Sequence, residues 1–409
     1  MASVFDTLKE RGFVSQCSNE EGLRKLLDSE KVSFYIGFDP TAKSLHIGNL
    51  LQLLFMAHLQ RAGHRPIALV GGGTTRIGDP SGKTEMRKIL PVETIKANAD
   101  LFRAQISRFL NFSEGKALMV DNAEWLAPLN YIEFLRDIGR HFSVNRMLSF
   151  ETYKMRMETG LSFIEFNYQI LQAYDYLVLF QKHGCRLQMG GDDQWGNIVA
   201  GMDLIRRVEG VEAFALTSPL VTRSDGKKMG KSEKGAIYLD PGMVSPYEFY
   251  QYWVNVPDAD VMQFFLRFTF RPIAEIEGLC SPSSDVNAAK RALAFEITSM
   301  VHGEKAAREA EEAAKAAFGG GETADISGVP SMEIGMAELE KGVNIVDLFV
   351  RTGLCATKSD ARRLVSQGGA SVNRKGVPGI EYAVTAAELD DGALLLRAGK
   401  KRYFRLVAR

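Results

Sequence analysis

Few residues in this chain suit disulfide frameworks or metal centres: four cysteines (Cys17, Cys185, Cys280, Cys355) and six histidines stand among 409 residues. The cysteines are widely spaced and include no Cys-x-x-Cys pair, which argues against disulfide staples and structural zinc, so no zinc and no resident metal are expected. Reduced thiols fit a cytoplasmic chain. No stretch offers the roughly 20 uninterrupted apolar residues that a membrane span requires. The start, Met-Ala-Ser-Val-Phe-Asp, lacks a basic region followed by an apolar core, so neither secretion nor membrane insertion is expected. Net charge is also missing, with 50 basic and 50 acidic residues. That neutrality is unevenly distributed. From Gly342 to Arg409 there are 12 Lys and Arg against 6 Asp and Glu, which suits a tail that meets a polyanion, although a merely solvated basic surface fits the charge equally well.

What is present is ordinary for a globular protein: 45% hydrophobic and 24% charged residues. The length predicts two or three domains. Apolar strand-like runs (33–38, 66–70, 117–120, 186–189) alternate with helical patterns (48–62, 92–110, 131–140, 163–182), as in βαβ units around a parallel sheet. Residues 246–318 show no strand alternation and read as helical, ending in an Ala- and Glu-rich helix stopped by Gly319-Gly320-Gly321. The predicted organisation is an α/β, Rossmann-like parallel-sheet catalytic domain (1–222), a helical domain (223–320), a linker (321–341) and a small α+β module (342–409).

In such sheets ligands sit beyond the carboxyl ends of strands. The first junction runs from Tyr35-Ile36-Gly37-Phe38-Asp39-Pro40-Thr41 through Leu45-His46-Ile47-Gly48-Asn49 into an apolar helix. His46 and Asn49 are three residues apart at the helix start, where they can face an anion at the positive end of the dipole. A plain capping role suits a lone histidine there as well. Gly48 leaves the backbone open to a ligand.

The second junction, Gly71 to Thr84, fails as a P-loop because only three residues separate Gly78 from Gly82-Lys83. It remains a Gly- and Pro-rich loop with Lys83, Arg87 and Lys88, suited to closing over phosphates or simply to solvation. Farther on, Tyr168, Gln172 and Asp175 share one helical stripe among apolar neighbours. If Asp175 is buried it needs a donor, from a ligand or from elsewhere in the protein. Gly190-Gly191 then lead into Asp192-Asp193-Gln194-Trp195-Gly196-Asn197, where Asp193 can accept from ribose hydroxyls and Gln194 can orient a carboxylate. Finally Asp225-Gly226-Lys227-Lys228-Met229-Gly230-Lys231-Ser232 places two ammonium groups three residues apart, able to bracket a leaving pyrophosphate.

Leu-His-Ile-Gly-Asn and Lys-Met-Gly-Lys-Ser resemble the paired His-Ile-Gly-His and Lys-Met-Ser-Lys-Ser motifs of class I aminoacyl-tRNA synthetases. Nearly the whole chain is similar to bacterial-type tyrosyl-tRNA synthetases, including Tyr35 to Thr41, Gly78 to Lys83, Phe163 to Asp175 and Gly190 to Asn197. Thr357 to Val365 and Ala370 to Asn373 resemble a small RNA-binding module shared with a ribosomal protein. The resemblance implies activation of tyrosine by ATP with Mg2+, followed by transfer to tRNA(Tyr). Tyr35 and Asp175 would hold the phenolic hydroxyl, and Asp79, Tyr168 and Gln172 the ammonium group, with Gln188 and Gln194 beside them. Gly37, Asp39, Thr41, Gly48, Gly191, Asp193 and Ser232 would line the nucleotide. His46, Asn49, Lys83, Arg87, Lys228 and Lys231 would serve the reacting phosphates. Lys358, Arg362, Arg363, Arg374 and Lys375 would meet RNA. A homodimer interface is implied over 125–148.

Two positions depart from the motifs: Asn49 keeps an N–H donor but not a cationic form, and Gly230 lacks a hydroxyl. A tryptophanyl-tRNA synthetase, which often carries His-Ile-Gly-Asn, is the nearest alternative, and Tyr35, Asp175 and the basic tail argue against it. An RNA-binding relative without catalysis is disfavoured by the presence of His46, Lys83, Lys228 and Lys231.

Overall fold

The computed structural model describes residues 3–82, 88–220, 222, 224, 231–232, 235–319, 329–390, 392–399 and 402–409; the side chains of 231–232 and 317–319 are not among them. Lys83, Arg87 and Lys228 therefore lie outside the described residues, and Lys231 and Ser232 are described by backbone alone. Contacts divide the chain into two units: 1–243 with 256–289, and 244–255 with 290–409.

The first unit is built on six described strands: β1 (Gln16–Cys17), β2 (Ser33–Phe38), β3 (Arg65–Val70), β4 (Leu118–Asp121), β5 (Cys185–Gly191) and β6 (Phe214–Ser218). Their order is β1-β6-β5-β2-β3-β4. All neighbours are parallel except the edge pair β1 and β6. The middle strands are covered on both faces, so Phe34, Tyr35, Ile36 and Ile67 to Val70 are buried without alternation. From β2 the chain winds outward through β3 and β4, then returns to place β5 on the other side of β2. That reversal of order opens a crevice between the carboxyl ends of β2 and β5.

Two helices wall the crevice. Ile47–Arg61 begins where the chain leaves β2, with His46 as its N-cap. Phe163–His183 starts at a capping box in which Ser162 and Glu165 bond each other's backbone, and it ends at Gly184, whose φ of 61° is the left-handed turn that glycine permits. It packs on the helix Trp195–Glu209, where Gly201 is needed: a Cβ there would stand 3.0 Å from the Tyr176 side chain. The start of the long helix is further fixed by an ion pair that is almost wholly enclosed, Arg156 to Glu165 at 3.0 Å with both side chains 2% exposed.

The second unit contains the helices Pro246–Val254 and Glu304–Gly319 and a five-stranded sheet. The sheet order is Lys375–Gly376, Ala370–Val372, Ala393–Ala398, Arg402–Ala408, Ser331–Ile334, and only the last pair is parallel. The helices Ile345–Arg351 and Lys358–Ser366 cover it, closing a core around Leu348, Phe349, Ala361, Leu394, Leu396 and Leu406. Ser331–Ile334 and the helix Met336–Glu340 fall in the stretch read from sequence as a linker (321–341). The strand escapes sequence reading because it is a four-residue edge with Ile334 as its one buried residue.

Candidate active site

At the carboxyl ends of β2 and β5 lies a cleft of about 980 Å³. It gathers Tyr35, Gly37, Asp39, Thr41, His46, Gly48 and Asn49 from the first junction with Asp79 from the second. Tyr168, Gln172 and Asp175 come from the long helix, and Gln188, Gly191, Asp193 and Gln194 from β5 and the turn after it. Residues more than 100 positions apart thus share one wall.

The inner end is the most enclosed. Tyr35 and Asp175 are each 1% exposed, and Tyr35 stands opposite Gln188 in the β2/β5 register. The Tyr35 hydroxyl and the Gln188 carbonyl oxygen are buried with no hydrogen-bond partner among the described residues. Burial holds the Tyr35 phenol well above its usual range, and the Asp175 carboxylate adds to the shift. Asp175 itself is satisfied from within the protein. Asn122 donates to its Oδ2 at 2.9 Å and the Trp125 indole to its Oδ1 at 2.7 Å. Burial raises its pKa to about 8 against the lowering effect of those two donors. The Trp125 indole thus points inward, to Asp175. Asn122 is also tied to the glycine-rich loop, accepting from the Gly73 amide at 2.7 Å and donating to the Thr74 hydroxyl at 3.0 Å.

Toward the middle of the cleft runs a chain of amides. Asn197 donates to Gln172 Oε1 at 3.1 Å, Gln172 to Gln194 Oε1 at 3.2 Å, and Gln194 to Asp79 Oδ2 at 2.7 Å. Each amide is thereby fixed in orientation, with Asp79 as the final acceptor, and Asp79 also receives the Ser81 amide at 2.9 Å. Tyr168 donates its hydrogen to Asp39 at 2.8 Å, which turns its oxygen lone pairs toward any donor entering the cleft. Thr74 donates to the other Asp39 oxygen at 2.7 Å. Gly71 makes this possible, since a Cβ there would lie 1.9 Å from Asp39 Oδ1.

The outer end carries the first motif. His46 and Asn49 cap the helix reciprocally: His46 Nδ1 accepts the Asn49 amide at 3.3 Å, and Asn49 Oδ1 accepts the His46 amide at 3.0 Å. Capping and ligand binding are compatible. With Nδ1 accepting, the neutral ring carries its proton on Nε2 and remains a donor. Gly48 has a steric reason to be glycine, because a Cβ would stand 2.8 Å from the His46 ring. The backbone then joins the two motif regions. The Ile47 amide donates to Ile237 at 3.1 Å and the Leu239 amide to Leu45 at 2.8 Å, directly after the strand pair that contains Lys231 and Ser232.

In the second unit, Lys358, Arg362 and Arg363 project from one exposed helix; Lys358 pairs with Asp347 at 2.6 Å and Arg363 with Asp360 at 2.7 Å. Arg374 and Lys375 lie at a hairpin in which Asn373 and Arg374 both have positive φ (43° and 66°), as a two-residue turn of this hand requires. Arg374 reaches the Ala316 carbonyl at 3.0 Å.

Sequence reasoning named most of the cleft but missed Thr74, Asn122, Trp125 and Asn197 as site residues. Their roles come from partners about 25 to 53 positions away, for which a single sequence carries no signal; Thr74 and Asn197 lie inside glycine-marked junctions, but nothing local assigns them a role.

The fold and cleft define a class I tRNA synthetase: residues 27–319 match the family described as tRNA synthetases class I (W and Y), and 322–406 match a tyrosine–tRNA ligase SYY-like C-terminal domain. The chain is 54% identical over 407 residues to the tyrosine–tRNA ligase of Acetivibrio thermocellus, covering 99% of both chains. It is equally similar, 54% over 408 residues and 100% of both, to that of Treponema denticola. A C-terminally truncated mitochondrial tyrosyl-tRNA synthetase from Aspergillus nidulans superposes with a TM-score of 0.68 at 30% identity, over 76% of this chain and 93% of that one. The chain belongs to the tyrosine–tRNA ligase family, and the tryptophan alternative is set aside.

Proposed function

We propose that this cleft binds tyrosine at its enclosed end and ATP, as the magnesium complex, at its outer end. It joins them as tyrosyl-adenylate with release of pyrophosphate, and then passes the tyrosyl group to the terminal adenosine of tRNA(Tyr). The observation that carries the reading is the pair of buried, unpartnered oxygens on Tyr35 and Gln188 beside the Asp175 carboxylate. Left alone, each costs roughly 1–3 kcal/mol of desolvation, and a phenolic hydroxyl among them removes part of that cost. A phenylalanine ring does not.

The substrate's ammonium group only donates, and Asp79, Gln172 Oε1 and the lone pairs of Tyr168 are all acceptors. Gln194, held by Asp79, presents its amide toward the carboxylate. That carboxylate is already a nucleophile, so attack on the α-phosphorus requires alignment and charge stabilisation, not a general base. Thr41, the His46 Nε2–H and Asn49 stand at the phosphate end with the helix N-terminus behind them, and Asp193 lies over Gly191 on the ribose side. Lys83, Arg87, Lys228 and Lys231 supply the cations for pyrophosphate, and Ser232 completes the nucleotide wall. The exposed basic residues Lys358, Arg362, Arg363, Arg374 and Lys375 suit RNA. For a symmetric dimer, the supporting feature is the helix Tyr131–Asp137, which buries none of its residues and leaves Tyr131, Ile132 and Leu135 exposed.

The test is ATP–pyrophosphate exchange with purified chain. Tyrosine is expected to stimulate it and tryptophan not to; exchange driven by tryptophan alone would overturn the reading.

A further inference from the structure

One face of the helix Val92–Ile106 holds the loop between β2 and the His46 helix at both of its ends. Asn98, Phe102 and Gln105 lie at i, i+4 and i+7, on one stripe, and all three are buried. Asn98 donates to the Pro40 carbonyl at 3.1 Å, and Phe102 lines the cleft. Gln105 closes the other end. Its Oε1 accepts the Leu45 amide at 3.0 Å and lies 3.3 Å from the Ser44 hydroxyl. A backbone N–H outside helix and strand has to meet an oxygen, so the Leu45 bond also fixes which way the Gln105 amide is turned.

The same two residues carry the second motif region. Ser44 Oγ accepts the Asp240 amide at 3.0 Å, and the Leu45 carbonyl accepts the Leu239 amide at 2.8 Å. Ser44, Leu45 and Leu239 are buried, so water is a poor substitute for these bonds. We infer that Gln105 is a positioning residue for adenylation: through Ser44 and Leu45 it fixes the seam at which the chain just after Lys231 and Ser232 joins the chain just before the His46 helix. Tyr35, Gln188 and Asp175 stand on other elements, β2, β5 and the helix Phe163–His183, so a looser seam is felt at the phosphate end and not at the tyrosine end. The role in adenylation rests on the reading of the outer end of the cleft as the phosphate site.

Two measurements on the full chain test this. One is hydrogen–deuterium exchange of the peptide that spans residues 237–240. The other is tyrosine-dependent pyrophosphate exchange, expressed per site titrated as bound tyrosyl-adenylate. Gln105→Met removes the acceptor at similar volume; it is expected to speed deuterium uptake at 239 and 240 about tenfold and to lower kcat about tenfold, with the KM for tyrosine moving less than about twofold. Gln105→Glu keeps an acceptor oxygen and restores most of both. Ser44→Ala removes the acceptor of the Asp240 amide directly and serves if Gln105→Met does not fold. The double variant Gln105→Met/Ser44→Ala is expected to lose less than the product of the two single losses, because both loosen one seam. Unchanged uptake at 239 and 240, or no recovery in Gln105→Glu, overturns the inference. So does faster uptake with kcat intact, which would leave the seam without a part in the chemistry, and so does a KM for tyrosine that rises as far as kcat falls. If the unaltered chain shows no tyrosine-dependent exchange, the reading of the cleft fails and takes the role in adenylation with it, while deuterium uptake still decides whether Gln105 holds the seam.

Discussion

The Trp125 indole donates to Asp175 Oδ1 at 2.7 Å across 50 positions of sequence, and the Asn122 amide takes the other carboxylate oxygen. The floor of the cleft is thus an acid oriented by two N–H groups, with its remaining lone pairs turned to whatever occupies the enclosed end.

Replacing Trp125 by Phe keeps the aromatic bulk and removes one donor. The KM for tyrosine is expected to rise about tenfold, the upper scale of one buried hydrogen bond, while the KM for ATP stays within about twofold. Exchange assays varying each substrate decide it; equal shifts in both would argue for general distortion.

Asp175 also links stability to pH. Its folded pKa of about 8 lies above the ordinary carboxylate value of 3.8, so between those limits the native state binds the extra proton. Its contribution is complete below the unfolded pKa and is lost as pH rises toward 8, at up to about 1.4 kcal/mol per pH unit. Urea unfolding of the chain and of Asp175→Asn at pH 5, 6, 7 and 8 should show the variant's deficit shrinking with pH. A constant difference would mean that the carboxyl group titrates alike in both states.

Arg156→Met leaves Glu165 charged and enclosed. Breaking a buried pair in this way costs about 3–5 kcal/mol, and it does so at the start of the helix that carries Tyr168, Gln172 and Asp175. Denaturation midpoints and tyrosine affinity are expected to fall together; loss of stability with full tyrosine affinity would show that the helix holds its place without the pair.

Asn49→Ala removes the half of the cap in which Asn49 Oδ1 accepts the His46 amide and keeps the backbone bond to His46 Nδ1. A stability loss of about 1 kcal/mol is expected from the cap, together with a lower kcat in exchange. Stability loss with kcat intact would confine Asn49 to capping.

Cutting the tail at residue 341 would strip Ser331–Ile334 of its partner Arg402–Ala408, so the cleaner truncation ends at residue 319. That variant should retain tyrosine-dependent exchange and lose at least about tenfold, roughly 1.4 kcal/mol, in tRNA charging at limiting tRNA. Undiminished charging would remove the tail from RNA binding.

The sequence reading succeeded where the signal is local. Strands β2 to β5 and the helices beginning at Ile47, Val92 and Phe163 are long enough for apolar periodicity to show, and the glycine-marked junctions after β2 and β5 open onto the cleft. β1 is only two residues long, and β6 was passed over; their antiparallel pairing depends on contacts 200 positions apart. Asp175 was legible as a carboxylate in an apolar helix, but its two donors were not, because nothing near Asn122 or Trp125 marks them as facing it. His46 shows a different limit: capping and chemistry stood as alternatives in the sequence, and the geometry makes them compatible.

The backbone bond from Ile47 to Ile237 has a mechanical consequence. Ile237 lies only six positions after Lys231, at most about 22 Å of fully extended chain. The lysine is therefore leashed to the start of the His46 helix whatever conformation the intervening chain takes. Such a leash keeps the backbone of residue 231 within one short radius of that helix start, at a local concentration in the millimolar range that association in trans would have to supply from bulk.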